Sequence, residues 1–94
     1  MASRSKHSAV VVRLKRRKAF KDPRETAFNT AFGIRLKAAR EAIDHSQTRL
    51  AERLGIGYDA YKKYEYGSRA FPLYLLRELS SILDKPVSWL LTGH

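Results

Sequence analysis

The apolar residues in the last two-thirds of the chain recur at helical spacing. Phe28, Phe32, Leu36, Ala39 and Ile43 follow one another at intervals of three and four residues. Such spacing places side chains on one face of a helix. The pattern therefore predicts a first helix of about 15 residues that begins near Phe28.

Two short helices are predicted next, and each is ended by a glycine. Ser46 is a suitable N-cap for a helix over residues 47–54, and Gly55 follows where helices commonly end. Gly57 opens a third helix that closes at Gly67. The short segment between the two helices leaves room only for a tight turn.

Two further helices complete the chain. Pro72 is predicted at the first position of a fourth helix, because proline fits the first turn. The apolar stripe of this helix consists of Leu75, Leu76, Leu79, Ile82 and Leu83. A last helix over residues 87–91 ends at Gly93. The sequence thus predicts an all-α fold of five helices without a strand.

Residues 1–30 have a different character. They carry nine lysines and arginines against two acidic residues, a balance of +7, whereas residues 31–94 carry ten against seven, a balance of +3. Crowded like charges repel one another. Pro23 is expected to end any helix that precedes it in the sequence. We predict a flexible basic arm over residues 1–30 and a folded domain over residues 31–94. The arm is either a phosphate-binding arm for DNA or RNA or a solvated tail.

Composition narrows the possible functions. A net charge of +10 on 94 residues favours polyanionic partners. The chain has no cysteine and no run of 18 apolar residues, so neither disulfides nor a membrane-spanning helix is expected. His7, His45 and His94 are scattered without carboxylate or thiol companions, which argues against a metal site. We expect no cofactor, no small-molecule ligand, no membrane association and no enzymatic activity, and a cytoplasmic, nucleoid-associated protein.

The stretch from Gln47 to Tyr66 meets the requirements of a helix-turn-helix, in which two helices cross steeply over a tight turn. Ala51 is small where the second helix must pack closely against the first. Gly55 stands where the chain must adopt a left-handed conformation. The inward-facing positions are Leu50, Leu54, Ile56, Tyr61 and Tyr64. Agreement at so many fixed positions is far more specific than a basic patch.

Residues 34–93 resemble the Cro and phage-repressor helix-turn-helix family, often called XRE. The matching residues are Arg40, Ser46-Gln47, Leu50-Ala51, Leu54-Gly55, Glu65, Gly67, Pro72, Leu79 and the closing run from Trp89 to Gly93. The resemblance implies a five-helix, lambda-repressor-like fold and a regulator of bacterial or phage type that binds double-stranded DNA, usually as a dimer. It also implies an inward ion pair between Arg40 and Glu65. For Gln47 it implies a bond to a DNA phosphate while the side chain braces the third helix.

Three positions depart from the family pattern. Asp44-His45 replaces a usual glycine-leucine pair, so a polar ring is expected at a core position. Asp84-Lys85-Pro86 replaces a usual Gly-Val-Ser turn, which alters the cap of the last helix. Ser80 stands where alanine is common. None of these changes lies in the third helix.

The resemblance places the third helix in the major groove of DNA. The candidate DNA-binding residues are Gln47, Gly57, Tyr58, Asp59, Lys62, Lys63, Tyr66 and Arg69. Lys62 and Lys63 can donate to guanine or to phosphates, and Tyr58 can meet a thymine methyl group or a phosphate. Asp59 could accept from cytosine, although its place in the first turn favours a role in stabilising the helix dipole.

Other assignments stay open. Arg69 and Arg77 are equally well interpreted as phosphate contacts or as ordinary surface charges. Trp89 belongs either to the C-terminal core or to a dimer contact, and any homodimer would use the last helices, where Val87, Trp89, Leu90 and Leu91 offer apolar surface. The leading hypothesis is a sequence-specific repressor. The alternatives are an antitoxin-like protein-interaction module and a non-specific nucleic-acid-binding protein that acts through its arm.

Overall fold

Five α-helices and one 3₁₀ turn follow one another in a computed structural model that describes residues 22–94. They are α1 (Pro23–Ala42), α2 (Gln47–Leu54), α3 (Tyr58–Tyr66), the 3₁₀ turn (Leu73–Leu75), α4 (Leu76–Leu83) and α5 (Val87–Thr92). Residues 22–94 contain no strand. The predicted all-α architecture with five helices is confirmed, and α2 and α3 have the bounds expected from their caps.

The first helix is longer than its apolar pattern predicted. It begins at Pro23, so residues 23–30, which the sequence assigned to the arm, are helical. The carboxylate of Asp22 accepts a hydrogen bond from the backbone N–H of Arg24 at 2.8 Å and caps the helix. Pro23 occupies the first turn, where its fixed φ fits and its missing N–H is not needed. This proline starts a helix rather than interrupting one. The rest of the predicted arm, residues 1–21, lies outside the described part of the chain.

An aromatic cluster attaches the N-terminal half of α1 to the rest of the domain. The rings of Phe28 and Phe32 stack with centroids 6.3 Å apart, and Phe32 in turn stacks on Phe71 at 5.5 Å. Tyr64 meets the Phe71 ring edge-on at 5.2 Å. Such pairs add stability beyond the area that they bury. The cluster joins the upstream half of α1 to α3 and to the loop that follows it.

The core lies where all five helices meet, and one of its largest members is a tyrosine. Tyr61 is completely buried and Tyr64 nearly so, which confirms that both face inward. The side chains buried with them include Leu36, Leu50, Leu54, Leu79, Leu83 and Leu90. Ala51 is also buried, and its helix α2 packs against α3, which agrees with the small side chain expected at this position.

Two glycines let α1 and α3 approach closely. A Cβ atom on Gly33 would collide with the backbone carbonyl oxygen of Glu65 and would lie 2.9 Å from that of Tyr64. Gly67, which ends α3 in the left-handed conformation at φ +86°, is also close to the backbone of Thr30, whose Cα would lie 2.9 Å from a Cβ atom on this glycine. Neither contact can relax by rotating a side chain. The relative position of α1 and α3 is therefore set by backbone packing.

The turns show how the departures from the family pattern are accommodated. Asp44 and Asp84 both adopt positive φ, 57° and 54°, at the ends of α1 and α4. Aspartate tolerates this conformation better than most residues with a Cβ atom. Pro72 lies before the 3₁₀ turn rather than inside a helix, so α4 begins at Leu76 and not at the predicted proline.

The two remaining departures make hydrogen bonds. His45 is half-buried, with Nδ1 3.1 Å from the Ile43 carbonyl oxygen and Nε2 2.9 Å from Arg53 Nη1. The Ser80 hydroxyl donates to the Lys85 carbonyl oxygen at 2.5 Å and ties α4 to the turn that follows. Both polar groups are thus satisfied. Within residues 22–94, no helix combines the length and the hydropathy that crossing a bilayer requires.

Candidate nucleic-acid interface

The third helix presents one face to solvent and the other to the core. Its exposed residues are Tyr58, Asp59, Lys62, Lys63 and Tyr66. The opposite face carries the buried Tyr61 and Tyr64. Because its inner face is fixed by two large rings, α3 is held firmly while its polar side stays accessible.

An open groove runs beside α3. It is lined by Lys37, Gln47, Asp59, Lys62, Lys63, Glu65, Tyr66 and Ser68. Five of the eight residues predicted to bind DNA therefore meet in one place, although they come from two different helices. The other three, Gly57, Tyr58 and Arg69, lie outside the groove and are exposed, at the two ends of α3.

A buried ion pair between Arg40 and Glu65 lies beneath the groove. Arg40 Nε donates to Glu65 Oε2 at 2.6 Å and Arg40 Nη2 donates to Glu65 Oε1 at 3.1 Å, which makes the pair bidentate. The two side chains are only 10% and 4% exposed, so the predicted inward ion pair is confirmed. Arg40 also donates to the His45 carbonyl oxygen at 2.7 Å. One arginine thus joins α1 to α3 and to the turn before α2.

Glu65 has two further partners. Gln47 Nε2 donates to Glu65 Oε1 at 2.9 Å, and the Tyr61 hydroxyl donates to Glu65 Oε2 at 2.5 Å. The bond from Gln47, the first residue of α2, is the bracing contact that the resemblance implied. The carboxylate accepts four hydrogen bonds from three side chains, and no buried side-chain nitrogen or oxygen in residues 22–94 lacks a partner. A fully satisfied network of this kind is rigid.

The network shifts the proton affinities of its members. Burial alone would raise the pKa of the Glu65 carboxyl, but the hydrogen bonds from Arg40, Tyr61 and Gln47 outweigh it and hold that pKa below its ordinary value. Burial and the bond to Glu65 raise the pKa of the Tyr61 phenol. The bond to Glu65 raises the pKa of the Arg40 guanidinium. Near neutral pH the pair is charged and Tyr61 is a hydrogen-bond donor.

Three residues at the start of α3 interact with one another. Lys62 Nζ lies 3.7 Å from Asp59 Oδ1 and 4.6 Å from the centroid of the Tyr58 ring. Both contacts are solvent-exposed and therefore weak. Asp59 also lies in the first turn of α3, as its interpretation as a dipole-stabilising residue requires. A ligand that binds Lys62 therefore needs to compensate only for the loss of these two weak contacts.

Sequence reasoning missed three features of this site. Lys37 belongs to α1, ten residues before the helix-turn-helix, and nothing in the local pattern links it to α3. Ser68 lies just after α3, and nothing in the local pattern links it to the groove either. The hydrogen bond between Tyr61 and Glu65 could have been predicted from their spacing, because residues four apart on a helix lie side by side. Metal-binding clusters of histidine, cysteine and acidic residues are absent from the described residues 22–94.

Proteins of similar sequence match the region of the chain that contains the groove. A helix-turn-helix family model matches residues 36–90. The SPbeta prophage-derived HTH-type transcriptional regulator YonR of Bacillus subtilis is 44% identical over 62 residues, which cover 66% of this chain and 57% of YonR. The HTH-type transcriptional regulator YqaE of the same organism is 39% identical over 63 residues, 67% of this chain and 54% of YqaE.

A third relative comes from a different bacterium. An HTH-type transcriptional regulator of Sinorhizobium medicae is 37% identical over 57 residues, which cover 61% of this chain and 41% of that protein. The chain spans about half the length of the curated relatives it matches. The matched residues contain α2, α3, α4 and the C-terminal third of α1, together with the buried Arg40–Glu65 pair. The chain belongs to the Cro/C1-type (XRE) helix-turn-helix family.

Proposed function

We propose that this protein binds double-stranded DNA in a sequence-specific way and regulates transcription as a repressor, acting on the nucleoid. The observation that carries the proposal is the arrangement of α3, whose exposed face carries Lys62 and Lys63 beside the braced amide of Gln47. The family and the relatives named as transcriptional regulators support it. A short helix with an exposed polar face fits the major groove of B-DNA.

The exposed side chains of α3 divide between reading bases and stabilising the helix. Lys62 and Lys63 reach outward and can donate to guanine O6 and N7. Tyr58, 44% exposed at the start of α3, can place its ring against a thymine methyl group. Asp59 stabilises the first turn and holds Lys62 loosely until DNA arrives. Gly57 leaves space for the sugar-phosphate backbone, since nothing lies within 4 Å of the position of a Cβ atom there.

Phosphates are bound at the two ends of the motif. The Gln47 amide nitrogen has two hydrogens, and the bond to Glu65 uses one of them. The second hydrogen can then be donated to a phosphate oxygen without any rearrangement. Arg69, exposed in the loop after α3, is the counterpart at the other end, and Tyr66, 84% exposed, can donate its hydroxyl there. Phosphate contacts of this kind fix the position of a protein on the duplex.

The test is selection of bound duplexes from a random pool with the full chain. We expect an enriched sequence that is bound about a thousand times more tightly than a scrambled duplex. Replacing Lys62 and Lys63 with glutamine should reduce this ratio more than it reduces binding to the scrambled duplex. Lys85→Gln, a charge removal outside the groove, is the matched control. If the ratio stays unchanged while both duplexes are bound more weakly, the two lysines contact phosphates only.

The same selection separates the alternatives. If every duplex is bound equally well and no sequence is enriched, the protein is a non-specific nucleic-acid-binding protein. If no duplex is bound, the proposal fails.

We also propose a homodimer through the C-terminal helices. Leu90 is fully buried within the chain and is not available for a dimer contact, which leaves the half-buried Val87, Trp89 and Leu91. Palindromic symmetry in the selected DNA and a dimer in sedimentation equilibrium would support this proposal. A monomer on a site without symmetry would contradict it.

A further inference from the structure

The charges that line the groove do not all have partners. Glu65 is neutralised by Arg40 beneath the groove, and Asp59 lies near Lys62. Within residues 22–94, neither Lys37 nor Lys63 forms an ion pair. Two ammonium groups are therefore uncompensated on the surface that also exposes the Gln47 amide.

Lys37 reaches this surface from α1. It precedes Arg40 by three residues, and positions three apart lie on neighbouring parts of a helix face. Arg40 turns inward to Glu65, whereas Lys37 is exposed and lines the groove. Because α1 and α3 are locked together at Gly33, the root of the Lys37 side chain is fixed relative to α3.

We infer that Lys37 binds a phosphate of the DNA backbone on the same side of α3 as Gln47, and this inference rests on the proposed function. A lysine is a compact charge on a flexible stem, and it suits a phosphate better than a base edge that needs two aligned donors. Lys37 also belongs to α1, beside the helix whose exposed face meets the bases. The phosphate-binding surface thus extends beyond the helix-turn-helix to a third helix.

The test compares the full chain with Lys37→Gln on two probes, the duplex recovered by selection and a scrambled duplex of equal length. Affinity is measured by fluorescence anisotropy over a series of salt concentrations. Loss of one phosphate contact should lower the slope of log K against log salt by about 0.9 and weaken binding about fivefold at physiological salt. The loss should be equal for the two probes, because phosphates carry no sequence information.

Two control variants accompany the measurement. Lys37→Arg keeps the charge and should retain the slope of log K against log salt. Lys85→Gln removes a lysine that lies over the Trp89 ring, and it should leave this slope unchanged. Circular dichroism checks that every variant melts as the unmodified chain does.

The outcomes are distinguishable. An unchanged slope and affinity in Lys37→Gln, with normal DNA binding by the unmodified chain, would overturn the inference and leave the proposed function standing. A loss confined to the selected duplex would also overturn it, because it would place Lys37 on a base. If the unmodified chain binds no duplex, the proposed function fails and the inference fails with it.

Discussion

The Tyr61 hydroxyl donates a hydrogen bond to the Glu65 carboxylate one turn further along α3, although the tyrosine side chain is completely buried. A residue that fills the core therefore also supplies a donor to the ion pair beneath the groove. The carboxylate that it contacts holds Gln47 and Arg40 as well. Core packing and the polar network are joined at this one side chain.

Tyr61→Phe should measure the contribution of that donor. The ring still fills the core, but the ionised Glu65 loses one of its four hydrogen bonds. A bond to a charged group contributes about 1.5–3 kcal/mol, so the free energy of unfolding in urea should fall by that amount. Tyr66→Phe removes a hydroxyl from an 84% exposed tyrosine on the same helix and should have almost no effect. Equal losses in the two variants would contradict the role given to the buried hydroxyl.

The Arg40–Glu65 pair should be more sensitive to the loss of one partner than to the loss of both. Arg40→Leu leaves a carboxylate buried without its counter-charge and should cost about 3–5 kcal/mol of unfolding free energy. Arg40→Leu combined with Glu65→Leu removes both charges and should be more stable than the single variant. Chemical denaturation of the unmodified chain, the two single variants and the double variant measures the difference. A double variant as unstable as the sum of the two single variants would show that the charges do not act as a pair.

Stability should decrease in acid because of Glu65. The pKa of this carboxyl is lower in the folded chain than the ordinary glutamate value of 4.5. Its contribution is therefore fully present above pH 4.5 and is lost as the pH falls through the lower pKa of the folded state. Urea denaturation at a series of pH values should show a shallower acid limb for Glu65→Gln. Glu52→Gln, at an exposed position of α2, should keep the slope of the unmodified chain.

Gly33→Ala tests the close approach of α1 and α3. Alanine favours a helix over glycine by about 1 kcal/mol, which would stabilise the protein if space were available. The new Cβ atom would instead collide with the Glu65 backbone carbonyl, and backbone cannot move aside cheaply. We expect a net loss of about 1–3 kcal/mol in urea denaturation. Gly57→Ala, at a site with nothing within 4 Å, meets no collision and loses only the preference of an N-cap for glycine over alanine, so it should cost no more than about 1 kcal/mol. A more stable Gly33→Ala variant would disprove the tight contact.

The basic arm is tested by deleting residues 1–21, which carry eight lysines and arginines and no acidic residue. The deletion ends before the Asp22 cap and leaves α1 complete. If the arm binds phosphates, the slope of log K against log salt should flatten by several units. An unchanged slope would identify the arm as a solvated tail. Thermal unfolding checks that the shortened chain keeps its fold.

The elements that the sequence predicted well are those whose signals are local. Ser46 and Gly55 delimit α2 because a cap acts within its own helix, and both take the expected conformations. The start of α1 also had a local signal, the Asp22 cap followed by a proline in the first turn, but Pro23 was interpreted only as the end of a preceding helix. Lys37 was missed for a different reason, since its place in the groove depends on how α1 packs against α3 and no local pattern indicates that packing.

The Glu65 carboxylate, which accepts hydrogen bonds from Arg40, Gln47 and Tyr61, belongs to a buried network that is distinct from the outer face of α3. Three helices meet at Glu65, so substitution there disturbs the whole domain at once. The outward positions 59, 62, 63 and 66 make no hydrogen bond to this network. We therefore expect that, if the outer residues read DNA as proposed, exchanging them changes the sequence that is bound while the network and the fold are retained.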